Sequence, residues 1–130
     1  MRCAPASRSM AANGPAQRPR TSTWPRLPPA RTRVATVAIG YADGVMRARG
    51  NRGHVLVRGR RAPVIGAVSM DAITIDVSSV EGVDVGDVVT VIGADGDERI
   101  TAEEVGEWSG TISYEVLTAI GPRVKRRYSE

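Results

Sequence analysis

The first residue of this chain with a side chain and a setting suited to chemistry is Tyr41. It stands in Gly40-Tyr41-Ala42-Asp43-Gly44, at the end of an apolar, β-branched run, Val34-Ala35-Thr36-Val37-Ala38-Ile39. A phenol both donates and accepts a hydrogen bond, and its pKa can be shifted for acid–base work. The flanking glycines permit a tight turn and close backbone approach, so the strand end can present the phenol rigidly. Two readings fit these residues: an acid–base group, or a turn tyrosine packed against a neighbouring strand. Tyr114, in Thr111-Ile112-Ser113-Tyr114-Glu115, is the second candidate. It falls in the first turn of an expected helix, where the phenol and unpaired backbone N–H groups can together hold a phosphate. Packing against the wall of the domain is the plainer alternative.

Other chemistries find little support. Cys3 is the only cysteine, which excludes an internal disulfide and a thiolate zinc site. His54 is the only histidine and lies in an alternating run, Gly53-His54-Val55-Leu56-Val57, so it reads as a surface or edge-strand residue. The acids of Ala94-Asp95-Gly96-Asp97 lack the twelve-residue spacing and closing glutamate of a calcium loop. We expect no metal site. The glycines follow neither the dinucleotide-binding nor the P-loop spacing.

Strands separated by glycine turns must position the two tyrosines. Strand candidates are residues 34–39, 53–58, 61–69, 72–77, 87–93 and 123–128. Pro63 implies that its strand is an edge or begins after the proline. Ala72-Ile73-Thr74-Ile75-Asp76-Val77 alternates apolar and polar, as a strand with one face on a core does. Asp95-Gly96 is a favoured hairpin pair. Thr101-Ala102-Glu103-Glu104 spells a capping box opening a helix to about residue 109. A second helix is expected over 113–120, stopped by Gly121-Pro122.

The whole chain of 130 residues carries +4, but residues 1–34 hold seven arginines and no acid. The remainder holds eleven Lys and Arg against fourteen Asp and Glu, about −3. A mildly acidic domain argues against a nucleic-acid-binding face. Six of the eight prolines fall within residues 1–33. Such density blocks helix and ladder formation, and little there is apolar enough to bury. We therefore expect residues 1–31 to be a disordered Arg/Pro-rich leader. An organellar transit peptide, a basic arm and a stretch that is not native coding sequence are the alternatives for it. The fold class expected over residues 32–130 is mainly β: a compact antiparallel β-barrel-like domain with two short helices. No apolar run approaches the roughly eighteen residues of a transmembrane helix, and a cytoplasmic, reducing setting with no membrane partner is expected.

Three islands, read together, carry a resemblance. Val34–Gly44 with its GYADG, Gly66-Ala67-Val68-Ser69-Met70-Asp71 leading into 73–77, and the TISYE of 111–115 followed by Gly121-Pro122-Arg123 occur in an order and spacing that resembles the C-terminal β domain of alanine racemase. The likeness covers residues 32 to 128. It implies a pyridoxal-phosphate enzyme with an N-terminal barrel, working on alanine as a head-to-tail dimer. In that family a barrel lysine holds the cofactor as a Schiff base and serves one face of the substrate Cα. By the resemblance Tyr41, coming from the opposite subunit, serves the other face. Met70 and Asp71 map to the pair that lines the partner's site, the methionine N–H lying near the substrate carboxylate. Tyr114 resembles the tyrosine that hydrogen-bonds the cofactor phosphate.

This chain has Ser69 and Ala72 where the family often has Cys and Gln. The only lysine, Lys125, does not match the cofactor lysine, and residues 1–31 do not resemble a barrel. The expectation is a racemase C-terminal fragment, inactive alone, that supplies its tyrosine to a barrel domain or subunit. A non-catalytic β interaction module is the alternative, and a nucleic-acid-binding β domain with a basic arm comes third.

Overall fold

A computed structural model describes residues 2–3, 6–10 and 31–129. Seven strands form one curled antiparallel sheet, half of a barrel: β1 (Arg2–Cys3), β2 (Ala6–Met10), β3 (Arg33–Val37), β4 (His54–Val57), β5 (Arg60–Ile65), β6 (Ile73–Asp76) and β7 (Val89–Thr90). Their order across the sheet is β1-β7-β4-β5-β6-β3-β2. The hairpin β8 (Gly93–Asp95) and β9 (Glu98–Ile100) turns at Gly96-Asp97, as the Asp-Gly pair implies. Two helices follow, α1 (Ala102–Ser109) and α2 (Ser113–Thr118).

Alternation along the strands builds the core. Ala35 and Val37 of β3, Ile73 and Ile75 of β6, Ala62 and Val64 of β5, and Val55 and Val57 of β4 all point inward. The opposite face of β4 supplies Leu56 to a second cluster with Ile100, Val105 of α1 and Val116 of α2. β4 is thus buried on both faces, and the helices pack where it would otherwise meet water. α1 begins as its capping box dictates: the Thr101 hydroxyl accepts the Glu104 N–H and the Glu104 carboxylate accepts the Thr101 N–H, both at 3.2 Å. Glu104 also pairs with Arg61 of β5 at 3.0 Å, tying the helix to the sheet.

Several expectations are corrected here. Pro63 is neither at an edge nor before the strand; it lies inside β5, opposite His54. The ladder to β4 takes its bond one residue on, where the Val64 N–H donates to the Gly53 carbonyl at 2.8 Å, and pairing with β6 starts at Val64. The missing proline N–H therefore falls where neither neighbour needs it. The strand expected over 61–69 ends at Ile65, and the run 87–93 forms strand only at 89–90 before β8 starts at Gly93. Residues 123–128 form no strand. Its apolar residues are Val124 and the exposed Tyr128, which give it no face to bury, and it folds back through a Val124 N–H to Gly121 carbonyl bond of 3.2 Å. The helix expected over 113–120 stops at Thr118.

Within the leader, Arg2–Cys3 pair with β7 and Ala6–Met10 pair with β3. Ala6–Met10 contains no proline, so no ladder donor toward the open edge of β3 is missing. The rest of the expected disordered leader, residues 1, 4–5 and 11–30, lies outside the described residues. Among the described residues no helix is long and apolar enough to cross a membrane.

Candidate active site

β3 ends at Val37, and the chain turns through a 3-10 turn over Tyr41–Asp43. The turn does not stand alone. The Tyr41 N–H donates to the Ser69 carbonyl and the Ala42 N–H to the Met70 carbonyl, each at 3.0 Å. Two loops nearly thirty residues apart are thereby clamped backbone to backbone. The clamp is tight because residue 40 has no Cβ: one built there would lie 2.3 Å from the Ser69 carbonyl oxygen. Gly44, at φ +108, closes the turn and rests against Ala119.

The second loop is held by its own serine. The Ser69 hydroxyl donates to the Ala72 carbonyl at 2.8 Å and accepts the Ala72 N–H at 3.2 Å. Ser69 and Ala72 thus close the loop at whose tip Met70 and Asp71 stand exposed. Tyr41 is 43% exposed, and the Arg47 guanidinium lies 6.0 Å from its ring centroid.

The structure brings Tyr41, Met70 and Asp71 together. Tyr114 lies on α2, 75% exposed. It is the C-terminal end of that helix, not its first turn, that meets the tyrosine turn. With six residues α2 has little dipole to offer, so the phenol is its useful donor. Asp43 and Arg123 escaped sequence reasoning. Asp43 is the one acid of its motif, three residues after Gly40, the spacing of a backbone cap. Its Oδ2 accepts the Gly40 N–H at 3.0 Å and its Oδ1 pairs with Arg123 at 3.2 Å. Among the described residues no group of His, Cys, Asp and Glu could hold a metal ion.

On the other side of β4, His54 is half-buried rather than a surface or edge residue, because β4 runs between β7 and β5. Its ring tilts against Trp108 with centroids 5.5 Å apart. Arg49, 1% exposed, donates to the His54 carbonyl at 2.6 Å and lies 5.5 Å over the same indole. Burial lowers the Arg49 pKa to about 10, still charged at neutral pH. Desolvation first, then the Arg61 and Arg49 charges, push the His54 pKa down, with Glu104 opposing them. The neutral imidazole is therefore the native form. Below pH 6.5, the ordinary value for a free imidazole, an unfolded chain takes up a proton that the folded chain resists, so stability falls as pH drops through that window. The lowered Glu104 pKa acts only lower, below the ordinary carboxylate value of 4.5. Urea midpoints should fall between pH 7.5 and 5.5, and His54→Gln should flatten the fall. An equal fall in His54→Gln would assign it elsewhere.

The sequence profile of the alanine racemase, C-terminal domain family matches residues 26–128. The chain is 54% identical over 101 residues to the alanine racemase of Geobacter sulfurreducens, an alignment covering 77% of this chain and 26% of that protein. The crystal structure of biosynthetic alanine racemase from Pseudomonas aeruginosa superposes with a TM-score of 0.79 at 37% identity, covering 97% of this chain and 34% of that one. Alanine racemase from Bartonella henselae with covalently bound pyridoxal phosphate gives 0.71 at 37% identity, over 77% of this chain and 27% of that one. The chain spans about a quarter of the length of the curated relatives it matches. The profile spans β3 to β9, both loops and both helices, and the chain belongs to the alanine racemase C-terminal domain family.

Proposed function

We propose that this chain is the C-terminal part of a pyridoxal-phosphate-dependent alanine racemase, and that Tyr41 moves the proton on one face of the substrate Cα. The observation that carries the reading is the clamp of Tyr41 and Ala42 onto Ser69 and Met70, which sets an exposed phenol beside an exposed Met-Asp tip. Racemisation takes a proton from one face and delivers one to the other, so two groups must flank the carbon. Pyridoxal phosphate, when bound, supplies the electron sink that makes the Cα proton acidic. The donors of this chain fit only its phosphate edge, where the exposed Tyr114 phenol can donate. Lys125, the only lysine, lies exposed in the C-terminal segment beyond α2; in this reading the anchoring lysine comes from a barrel domain.

Tyr41 then acts on the face away from that lysine, across a head-to-tail dimer. The Met70 N–H orients the substrate carboxylate, and Asp71 lines the rim. Ile112, Tyr114 and Leu117 are exposed along α2 and its approach, a surface suited to a barrel partner in a cytoplasmic enzyme.

Residues 1–130 alone, given L-alanine and pyridoxal phosphate, should form no D-alanine. Adding a racemase barrel domain that carries the cofactor lysine should restore turnover. D-alanine from the chain alone would overturn the division of labour. Tight assembly with no turnover would leave a binding module in its place.

A further inference from the structure

We infer that Asp43 and Arg123 are positioning residues that latch the Tyr41 turn onto the C-terminal segment. The inference rests on the acid–base reading of Tyr41 for its functional meaning, but its geometry is independent of it. Asp43 uses three groups at once. Its Oδ2 accepts the Gly40 N–H at 3.0 Å, its Oδ1 meets the Arg123 Nε at 3.2 Å, and its carbonyl accepts the Gly121 N–H at 3.2 Å. The contact is close on both strands of chain. A Cβ at Gly121 would stand 2.6 Å from the Ala42 carbonyl oxygen, and one at Gly44 2.7 Å from that of Ala119. Residues 119–123 therefore lie directly on 42–44. The Ser69–Met70 loop braces the same turn through Tyr41 and Ala42.

The electrostatics make this a positioning device and not a pillar of the fold. The Asp43 side chain is 5% exposed, so its charge needs partners. Arg123 is 59% exposed, where an ion pair adds little to global stability. Loss of Arg123 should leave the core intact and give a nearly buried carboxylate reason to move. As it moves it releases Gly40, the residue immediately before Tyr41. The same segment continues back into α2, so the latch also ties the Tyr41 turn to the helix that carries Tyr114.

The test is amide exchange and tyrosine ring resonances on the full chain. In Arg123→Met, Gly40 should exchange about tenfold faster and the Tyr41 ring signals should shift, while amides of β4 to β6 hold their rates. Arg123→Lys, which keeps the charge, should recover most of the parent behaviour. Asp43→Asn keeps an oxygen for the Gly40 N–H but loses the ion pair, and should match Arg123→Met. In assembly with a barrel domain, Arg123→Met should lower kcat with little change in KM. Unchanged Gly40 exchange, or a uniform rise across the sheet, would overturn the latch. The exchange arm reads the latch whatever Tyr41 does, whereas failure of the acid–base reading would leave the exchange result standing and register as unchanged turnover in Tyr41→Phe.

Discussion

Tyr41→Phe should lower the turnover of an assembly between this chain and a lysine-bearing barrel domain by about two orders of magnitude or more, the scale of general acid–base catalysis. The substitution keeps the ring, and with it the Arg47 contact over its face. It deletes the one atom that can carry a proton. The backbone clamp to Ser69 and Met70 uses main-chain groups, so the turn should persist and assembly should be nearly unchanged. Following Cα hydrogen exchange with solvent deuterium in each direction would separate the two faces, with the larger loss in the direction that starts at the tyrosine. An assembly that racemises at full rate with phenylalanine at position 41 would reduce the residue to a packed turn tyrosine and the chain to a structural module.

Gly40→Ala should cost about 3 kcal/mol or more, at the upper end of single-residue effects, because overpacking here meets backbone and not a movable side chain. The new Cβ would stand 2.3 Å from the Ser69 carbonyl oxygen, 2.4 Å from the Met70 carbonyl carbon and 2.5 Å from the Asp71 nitrogen. The φ of Gly40 is −146°, extended backbone open to any residue, so the cost is steric and not conformational. Relief requires the two loops to part, which would break the Tyr41 and Ala42 hydrogen bonds together. A domain of this size should lose about 12 °C or more in Tm. Thermal unfolding of parent and variant checks it; a Tm within about 2 °C of the parent would show that the loops are free to separate.

Much of the fold was legible because it depends on near neighbours. The alternation of Ile73, Thr74 and Ile75 specifies a one-sided strand, and it forms as β6. Thr101 and Glu104 specify a helix start, and both reciprocal bonds are present. The Asp95-Gly96 pair marks the hairpin that β8 and β9 make. The misreadings share a cause. Residues 123–128 hold four basic residues and no apolar face to lay on the sheet, and Pro63 stands inside a strand because the ladders on either side skip its nitrogen. His54 lay in a correctly read strand, yet its burial depended on β4 lying between β7 and β5 with α1 against it.

The candidate site divides the same way. The sequence by itself determined the fold family, the strand end that carries Tyr41, the glycine turn after it, and the Met70-Asp71 and Tyr114 motifs, since each lies within a few residues along the chain. Only the tertiary structure decided that Tyr41 rests on Ser69 and Met70, that Ser69 closes the loop of Met70 and Asp71, and that Asp43 finds Arg123 eighty residues away. Periodicity and capping act over one or two turns of chain and leave a signature in residue order. Approach between distant segments is set by strand register and by where a missing Cβ lets two backbones touch, and those distances exist only once the sheet has curled.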